Sequence, residues 1–398
     1  MPEVISMEKP SVLFFGSCDF VGYPVGGSLS FARNVVKAFG NRLALVGVTT
    51  DDTPVGCWVE KEFEGQVYHF FAIGRRRPSP RKPFIPAGVT AYMQYRRNRD
   101  AILSLRVRKA LTGDGIALIA ASNWGWENLC HISGGIRNPL KGSRYWYARP
   151  FARLFFDRWT RAMARCNLVL AAADDGEIDE FVAATKGRLS RDRVMHFPTR
   201  VDTGIFQPSS SVEARRQVGL ESSEPVIVTS GRINWVKGWD RLLDAFRLLV
   251  RKYPGGVLVY VGDGEDSPAL RGRIAEYGLT NCVIQTGFKA PVDVACYLNA
   301  ADVFVMTSHW EGWPTAMVEA LACGKPVVST GIRAARTLVI PGENGYVVEG
   351  RDPSALAQAI ERALQLRSAT EVSVRLAQRY ALGSLAADLC KVWPPIAG

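Results

Sequence analysis

The 398-residue sequence predicts an α/β protein built from two doubly wound domains, each with a largely parallel sheet. Three observations carry that expectation. Short continuous apolar runs, SVLFFG (11–16), LALVGVTT (43–50), GIALIAAS (115–122) and NLVLAAA (167–173), have the length of strands buried on both faces of a parallel sheet. Helically spaced stretches lie between them. The same alternation restarts after residue 224, beyond a Pro-, Thr- and Ser-rich interruption, HFPTRVDTGIFQPSSS (196–211). The expected organisation is an N-terminal domain over 1–205, a C-terminal domain over 206–380, and a helical segment over 381–398.

In chain order, the first strand ends at Gly16 and leads into VGYPVGGSLSFARNVVKAFG (21–40), a Gly-rich turn followed by a helix whose apolar residues include Leu29, Phe31, Val35, Val36 and Phe39. Residues 75–100, rich in Pro and Arg, read as an irregular excursion. YWYARPFARLFFDRWTRAMARC (145–166) is a basic, aromatic segment at helical spacing. In the second series PVIVTSGR (225–232), VLVYVGDG (257–264), CVIQTG (282–287), DVFVMTS (302–308), PVVST (326–330) and GYVVE (345–349) read as strands. WDRLLDAFRLLVRKY (239–253) is an amphipathic helix with Leu242, Leu243, Phe246 and Leu249 on one face.

Composition excludes several classes. Apolar residues make up 47% and charged residues 22%, the balance of a globular chain with sizeable cores. No run of 18 uncharged apolar residues occurs, so no transmembrane helix is expected. The start, MPEVISMEKPSVLFF, lacks a basic region before an apolar core and reads as a short leader into a strand. The eight cysteines form no C-x-x-C pair, and His69, His131, His196 and His309 have no ligand spacing. Free thiols in a reducing cytoplasm and no metal site are expected. The net charge of +11 is uneven: residues 75–165 hold 19 Lys/Arg against four Asp/Glu, while residues 201–398 hold 20 of each. A local excess of this kind points to an anionic partner. No recognised nucleic-acid module accompanies it, so nucleic acid is not expected.

The chemistry-bearing residues fall on loops after strands, where doubly wound sheets bind ligands. SGRINWVKGWDRLL (230–243) puts Arg232 and Lys237 beside a helix start, a setting suited to a phosphate or diphosphate. Gly26 and Gly27 precede the first helix and leave its N–H groups open to close approach. The pattern is not G-x-G-x-x-G, which disfavours a redox dinucleotide. In VGDGEDS (261–267) the glycines permit a tight turn and Asp263 caps it. The densest stretch is HWEGWPTAMVEALACGKPVV (309–328). Pro314 suits the first helical turn and Gly324 a helix stop. Glu311 then lies on the loop before a helix, and Glu319, separated from it by seven residues, lies inside an otherwise apolar one. A carboxylate among Ala, Met, Val and Leu is costly to bury without a partner, and a ligand hydroxyl is one such partner. A partly solvated Glu319 is the plainer alternative.

These motifs resemble the family 4 glycosyltransferases of the two-domain GT-B fold. The resemblance is most specific over 225–350: S-G-R-x4-K-G at 230–238, V-G-D-G at 261–264, G-F at 287–288, A-D-V-F-V-M-T-S at 301–308 and E-G-W-P-T-A-M-V-E-A-L-A-C-G-K-P-V-V at 311–328. The N-terminal half matches more loosely, through its first strand, Gly26-Gly27 and V-D-T-x-x-F-x-P at 201–208. The resemblance implies two Rossmann-like domains facing a cleft, with 381–398 packing back on the first. It implies that Gly231, Arg232 and Lys237 hold the diphosphate of a nucleotide-sugar and that Glu311 contacts the donor sugar. Gly312, Trp313, Pro314 and Thr315 then bind sugar and phosphate, Glu319 the ribose, Phe288 the neighbourhood of the base, and Gly26 and Gly27 the diphosphate from the other domain. Asn123, in ASNWGWEN (121–128), stands at about the place where many members carry a histidine facing the donor sugar, and takes that catalytic position here. Where many members have Gly-Gly and Glu, STGIRAARTLVIPGENG (329–345) presents Arg333 and Thr337.

Family members retain anomeric configuration and usually need no divalent metal, so no cofactor is implied beyond the donor, with UDP favoured over GDP. Acceptors bind the N-terminal domain in this family. Interleaved Arg and aromatic residues at 75–108 and 137–165 suit an anionic membrane surface or a lipid diphosphate. The expectation is a cytoplasmic, peripheral enzyme that extends a lipid-linked saccharide for a cell-surface polymer. One alternative is a soluble transferase acting on a small anionic metabolite, and a more distant one is a nucleotide-sugar isomerase. Phe151, Leu154, Phe155 and Trp159 can equally be the buried face of a packed helix.

Overall fold

The computed structural model describes residues 9–24, 27–63, 65–77, 85–138, 146–221 and 223–397. They form two compact units, one comprising Met1–Thr199 with Gly383–Gly398 and the other Arg200–Leu382. Both are α/β units built on a Rossmann-like sheet. The division falls at Thr199/Arg200 and Leu382/Gly383, not at 205/206 and 380/381. The reason is local: the Val201 amide donates to Tyr380 O and the Leu382 amide to Val201 O, each at 2.8 Å, which ties the 201 stretch to the end of the second unit.

The first unit has an eight-stranded sheet made of β1 (Val12–Phe15), β2 (Leu43–Thr49), β3 (Trp58–Phe63), β4 (Gln66–Arg75), β5 (Lys109–Thr112), β6 (Asn128–Ser133), β7 (Leu168–Ala171) and β8 (Val194–His196), in the order β3-β4-β2-β1-β5-β6-β7-β8. Only the β3–β4 hairpin at the edge is antiparallel. The central strands β1 and β2 are buried along their whole length, as expected where helices cover both faces. Phe15 anchors one side, with the rings of Tyr95, Trp124 and Trp126 at 6.0, 5.8 and 5.7 Å. The terminal helix Leu385–Val392 packs on the helix Gly27–Phe39.

Two readings are corrected in this unit. Residues 115–122 are not a strand: Gly115–Ala121 is a helix, and the strand is the preceding KALT of β5. Asp114 enforces this. Its Oδ1 accepts from the amides of Ile116 (2.9 Å) and Ala117 (2.8 Å), capping the helix, while Oδ2 accepts from the Ser17 amide (2.7 Å). The run looked strand-like because a short helix buried on most sides shows no polar alternation. The strand itself is short and opens on a lysine. Second, the stretch read as an irregular excursion contains the helix Ala87–Arg97.

The second unit has six parallel strands: β9 (Val226–Ser230), β10 (Val257–Val261), β11 (Val283–Gln285), β12 (Val303–Met306), β13 (Val327–Thr330) and β14 (Gly345–Val348), in the order β11-β10-β9-β12-β13-β14. The helix Trp239–Lys252 buries Leu242, Leu243, Phe246 and Leu249 against this sheet, the face read from its spacing. Gly238 precedes it in the left-handed conformation, with φ 62°, and a Cβ there would overlap the Thr307 carbonyl oxygen. Gly238→Ala is therefore expected to cost about 1–3 kcal/mol of stability, seen as a lower urea midpoint. An unchanged midpoint would mean that the end of β12 yields freely.

Candidate active site

The second sheet reverses its strand order at β9. The chain leaves β9 for β10 on one side and later returns to β12 on the other. Loops leaving neighbouring strands in opposite directions open a crevice at the strand ends. That crevice encloses about 380 Å³, part of it open to solvent, and is lined by Ser230, Gly231, Arg232, Lys237, Tyr260 and Ser308, among others.

The loop after β9 carries the cations. Asn234 caps a short 3-10 turn, Trp235–Lys237, by accepting from the Lys237 amide at 3.2 Å, and this sets where Lys237 starts. The Lys237 ammonium lies 2.6 Å from Glu311 Oε1, and the Ser308 hydroxyl donates to the same oxygen at 2.5 Å. Two further bonds lock the β9 and β12 loops together. The His309 amide donates to Val236 O at 2.7 Å, and the Thr307 hydroxyl donates to Gly238 O at 2.8 Å. Glu311 keeps only 11% of its side-chain surface exposed, and these two partners are what its carboxylate meets there.

The second carboxylate follows on the helix Thr315–Ala322, with Pro314 as the residue just before its first turn. Gly324, at φ 72°, ends it: its amide donates to Leu321 O at 2.9 Å and the Lys325 amide to Ala320 O at 3.0 Å. Trp313 is buried with its ring 4.9 Å from Tyr380. Glu319 is the fifth helical residue; it is partly exposed, as the plainer alternative had it, and its carboxylate has no hydrogen-bond partner among the described residues. Burial pushes it up from 4.5 to about 7, against the opposing field of Lys237. An acid of this kind is poised for a ligand that donates hydrogen bonds.

The structure therefore brings Gly231, Arg232, Lys237 and Glu311 to one crevice region, with Gly312, Trp313, Pro314, Thr315 and Glu319 on the segment that follows Glu311. Phe288 follows β11 and is 63% exposed, next to Gly287, which bridges to Gly262. Asp263 holds the turn after β10 by accepting from the Gly264 amide (2.8 Å) and the Ser267 hydroxyl. Gly26 lies outside the described residues. Gly27 opens the first helix of the other unit.

Asn123 is corrected. It follows the helix Gly115–Ala121, which runs back from the carboxyl end of β5 to the amino end of β6. It sits at the wrong edge of the sheet for a strand-end loop, and its Oδ1 accepts from Arg96 at 3.3 Å. The loop at the carboxyl end of β5 instead carries Asp114, two residues past the strand. Asn234 and Ser308 were missed as site residues. Ser308 had a usable signal, since it lies three residues before Glu311 on one loop.

Known proteins resemble this chain in sequence and in fold. A family model described as glycosyl transferases group 1 matches residues 210–380. The D-inositol 3-phosphate glycosyltransferase of Segniliparus rotundus is 30% identical over 304 residues, 64% of this chain and 68% of that protein. Against the first curated relatives, which share that name, the chain spans about three fifths of their length. Among solved structures, sucrose-phosphate synthase from Thermosynechococcus elongatus has a TM-score of 0.79 at 19% identity, over 97% of this chain and 98% of that one. Anabaena Alr3699/HepE in complex with UDP and glucose has a TM-score of 0.72 at 20% identity, over 96% and 99%. Both share the fold.

The raised Glu319 has a consequence for stability. Between pH 4.5 and about 7 the native state binds more protons at this group than the unfolded chain does, so its contribution falls as pH rises through that window. Glu319→Gln is expected to stabilise the ligand-free protein at pH 8, by up to about 3 kcal/mol, and to change it little at pH 5. Urea titrations at the two pH values check this, and equal effects at both would show that Glu319 carries no such cost.

Proposed function

The chain belongs to the group 1, family 4 glycosyltransferases, and from that premise we propose that it transfers a hexose, with retention, from a UDP-sugar to a small phosphorylated polyol or sugar. The observation that carries the donor half is the Lys237–Glu311 pair, 2.6 Å apart at the mouth of the crevice that Arg232 also lines. One side of that junction suits a diphosphate and the other a sugar hydroxyl. As the bond to the leaving diphosphate breaks, negative charge grows on its oxygens. Arg232 and Lys237 are the groups to meet it, work that a metal ion does in other enzymes. Glu311 orients the sugar and Glu319 accepts from the ribose. UDP is favoured over GDP because the Anabaena neighbour was solved with UDP and glucose.

The acceptor reading shifts from the lipid-linked saccharide preferred on sequence to the small anionic metabolite. Curated relatives are named for D-inositol 3-phosphate, and a structural neighbour for sucrose phosphate. The basic excess at 75–165 suits such an acceptor as well as it suits a membrane.

A second reading keeps the lipid-linked acceptor. Ile85, Val89 and Met93 recur every four residues and are exposed, and the helix Ala87–Arg97 that carries the last two ends in Arg96 and Arg97. Phe151 and Leu154 are also exposed, at 61% and 51%, so only Trp159 of that quartet fits the fully buried alternative. Among the described residues no helix is long and apolar enough to cross a membrane.

Three measurements test these readings. Lys237→Ala and Arg232→Ala should each lower sugar transfer about 10²–10³-fold, and near-normal turnover would remove the donor assignment. Transfer from UDP-glucose to inositol phosphate should exceed transfer to a lipid diphosphate, and the reverse order would favour the second reading. Under that second reading the protein sediments with anionic vesicles and not with neutral ones, whereas equal sedimentation with both would exclude it.

A further inference from the structure

A second cavity in the unit Arg200–Leu382 is lined by two guanidinium groups, neither in an ion pair among the described residues. It encloses about 240 Å³, part of it open to solvent, and is lined by Arg241, Thr330, Val348, Gly350, Arg351 and Asp352, among others. It shares no lining residue with the donor crevice. Arg241 rises half-buried from the first turn of the helix Trp239–Lys252, and Arg351 follows β14. Asp352 lines the same cavity, but its oxygens accept from the Ser354 amide at 2.9 Å and the Ser354 hydroxyl at 2.6 Å. Asp240 is next to Arg241 in the chain and accepts no hydrogen bond from it.

The one polar partner of Arg241 carries no negative charge. Its guanidinium donates to His309 Nδ1 at 2.9 Å. That nitrogen must present a lone pair, so the imidazole is neutral with its proton on Nε2. Burial, and then the charge of Arg351, lower the Arg241 guanidinium from its ordinary value. Burial followed by Arg241 and Arg351 lowers His309 too. Arg241 and Arg351 line the cavity with Asp352, His309 lies outside its lining, and Asp240 opposes the positive field at Arg241.

We propose that this cavity is an oxyanion site for a phosphate group, separate from the donor crevice and independent of the donor assignment. Two planar, permanently charged forks on one cavity match the oxygens of a phosphate, which would accept hydrogen bonds from both where no carboxylate now does. The wall of the cavity is continuous with the donor loop. The Thr330 hydroxyl donates to Ser308 O at 2.7 Å, and His309 lies two residues before Glu311. Free phosphate and a phosphomonoester are the two sources of this chemistry.

The test is calorimetric titration of the full chain in phosphate-free, low-salt buffer with inorganic phosphate and, separately, glucose 6-phosphate. An Arg232→Ala/Lys237→Ala background removes phosphate binding at the donor crevice. One phosphate should still bind that background, and adding Arg351→Gln should weaken it at least tenfold with an unchanged circular dichroism spectrum. Arg241→Gln should do the same. Tighter binding of glucose 6-phosphate assigns the site to a phosphomonoester, and equal or weaker binding assigns it to free phosphate. No binding in the background, or binding that survives both arginine variants, overturns the site.

Discussion

The β9 and β12 loops are held against each other before any ligand is considered. The Thr307 hydroxyl reaches the Gly238 carbonyl, the His309 amide reaches the Val236 carbonyl, and Gly238 gives up a side chain so that the backbones can meet. The strands beneath are hydrogen-bonded neighbours in the sheet, so the contact is short-range in space although about 70 residues separate the partners in the chain. Everything chemical in this unit hangs on that junction. Lys237 and Glu311 meet only because the junction fixes both loop ends. With the charges committed to a rigid frame, little reorganisation is needed when charge develops on a ligand, which is the condition for effective electrostatic stabilisation.

The second unit was legible in the sequence because its signals are local. Its strands are short, largely apolar runs, three of them followed directly by Gly, and the amphipathic helix Trp239–Lys252 shows its buried face directly. The first unit was less legible. β5 is four residues long and starts with a lysine, and the Ala-rich helix after it mimics a buried strand. That single exchange of strand for helix carried Asn123 to the opposite edge of the sheet. The information that decides it is the Asp114 carboxylate, whose partner Ser17 lies 97 residues away, so no window of sequence contains it. Ser308 was hidden differently. It belongs to an apolar run read as strand, which masked the spacing to Glu311 that could have found it; β12 in fact stops at Met306.

The charge asymmetry has a clearer meaning with the fold in hand. The basic excess belongs to the first unit, and in the second unit acids and bases nearly balance in number yet not in place. Arg241 and Arg351 share a cavity, while Arg215 is paired bidentately with Asp302 at 2.6 and 2.7 Å and joins the helix Ser211–Val218 to the start of β12. Composition counts these arginines alike. Their surroundings separate a structural clamp from groups left with charge to spare.

Glu319 adds a link between nucleotide and proton. Its carboxyl is held well above the ordinary glutamate range, so the ligand-free protein keeps a proton there at pH values where an exposed glutamate would have lost it. Under the proposed ribose contact, a hydroxyl donating to this carboxylate would favour the ionised form, and loading a nucleotide would release protons into solvent. On that proposal acidification would weaken donor binding while leaving the diphosphate contacts as they are. An acid without a partner in the resting protein would then make donor occupancy sensitive to the acidity of its surroundings.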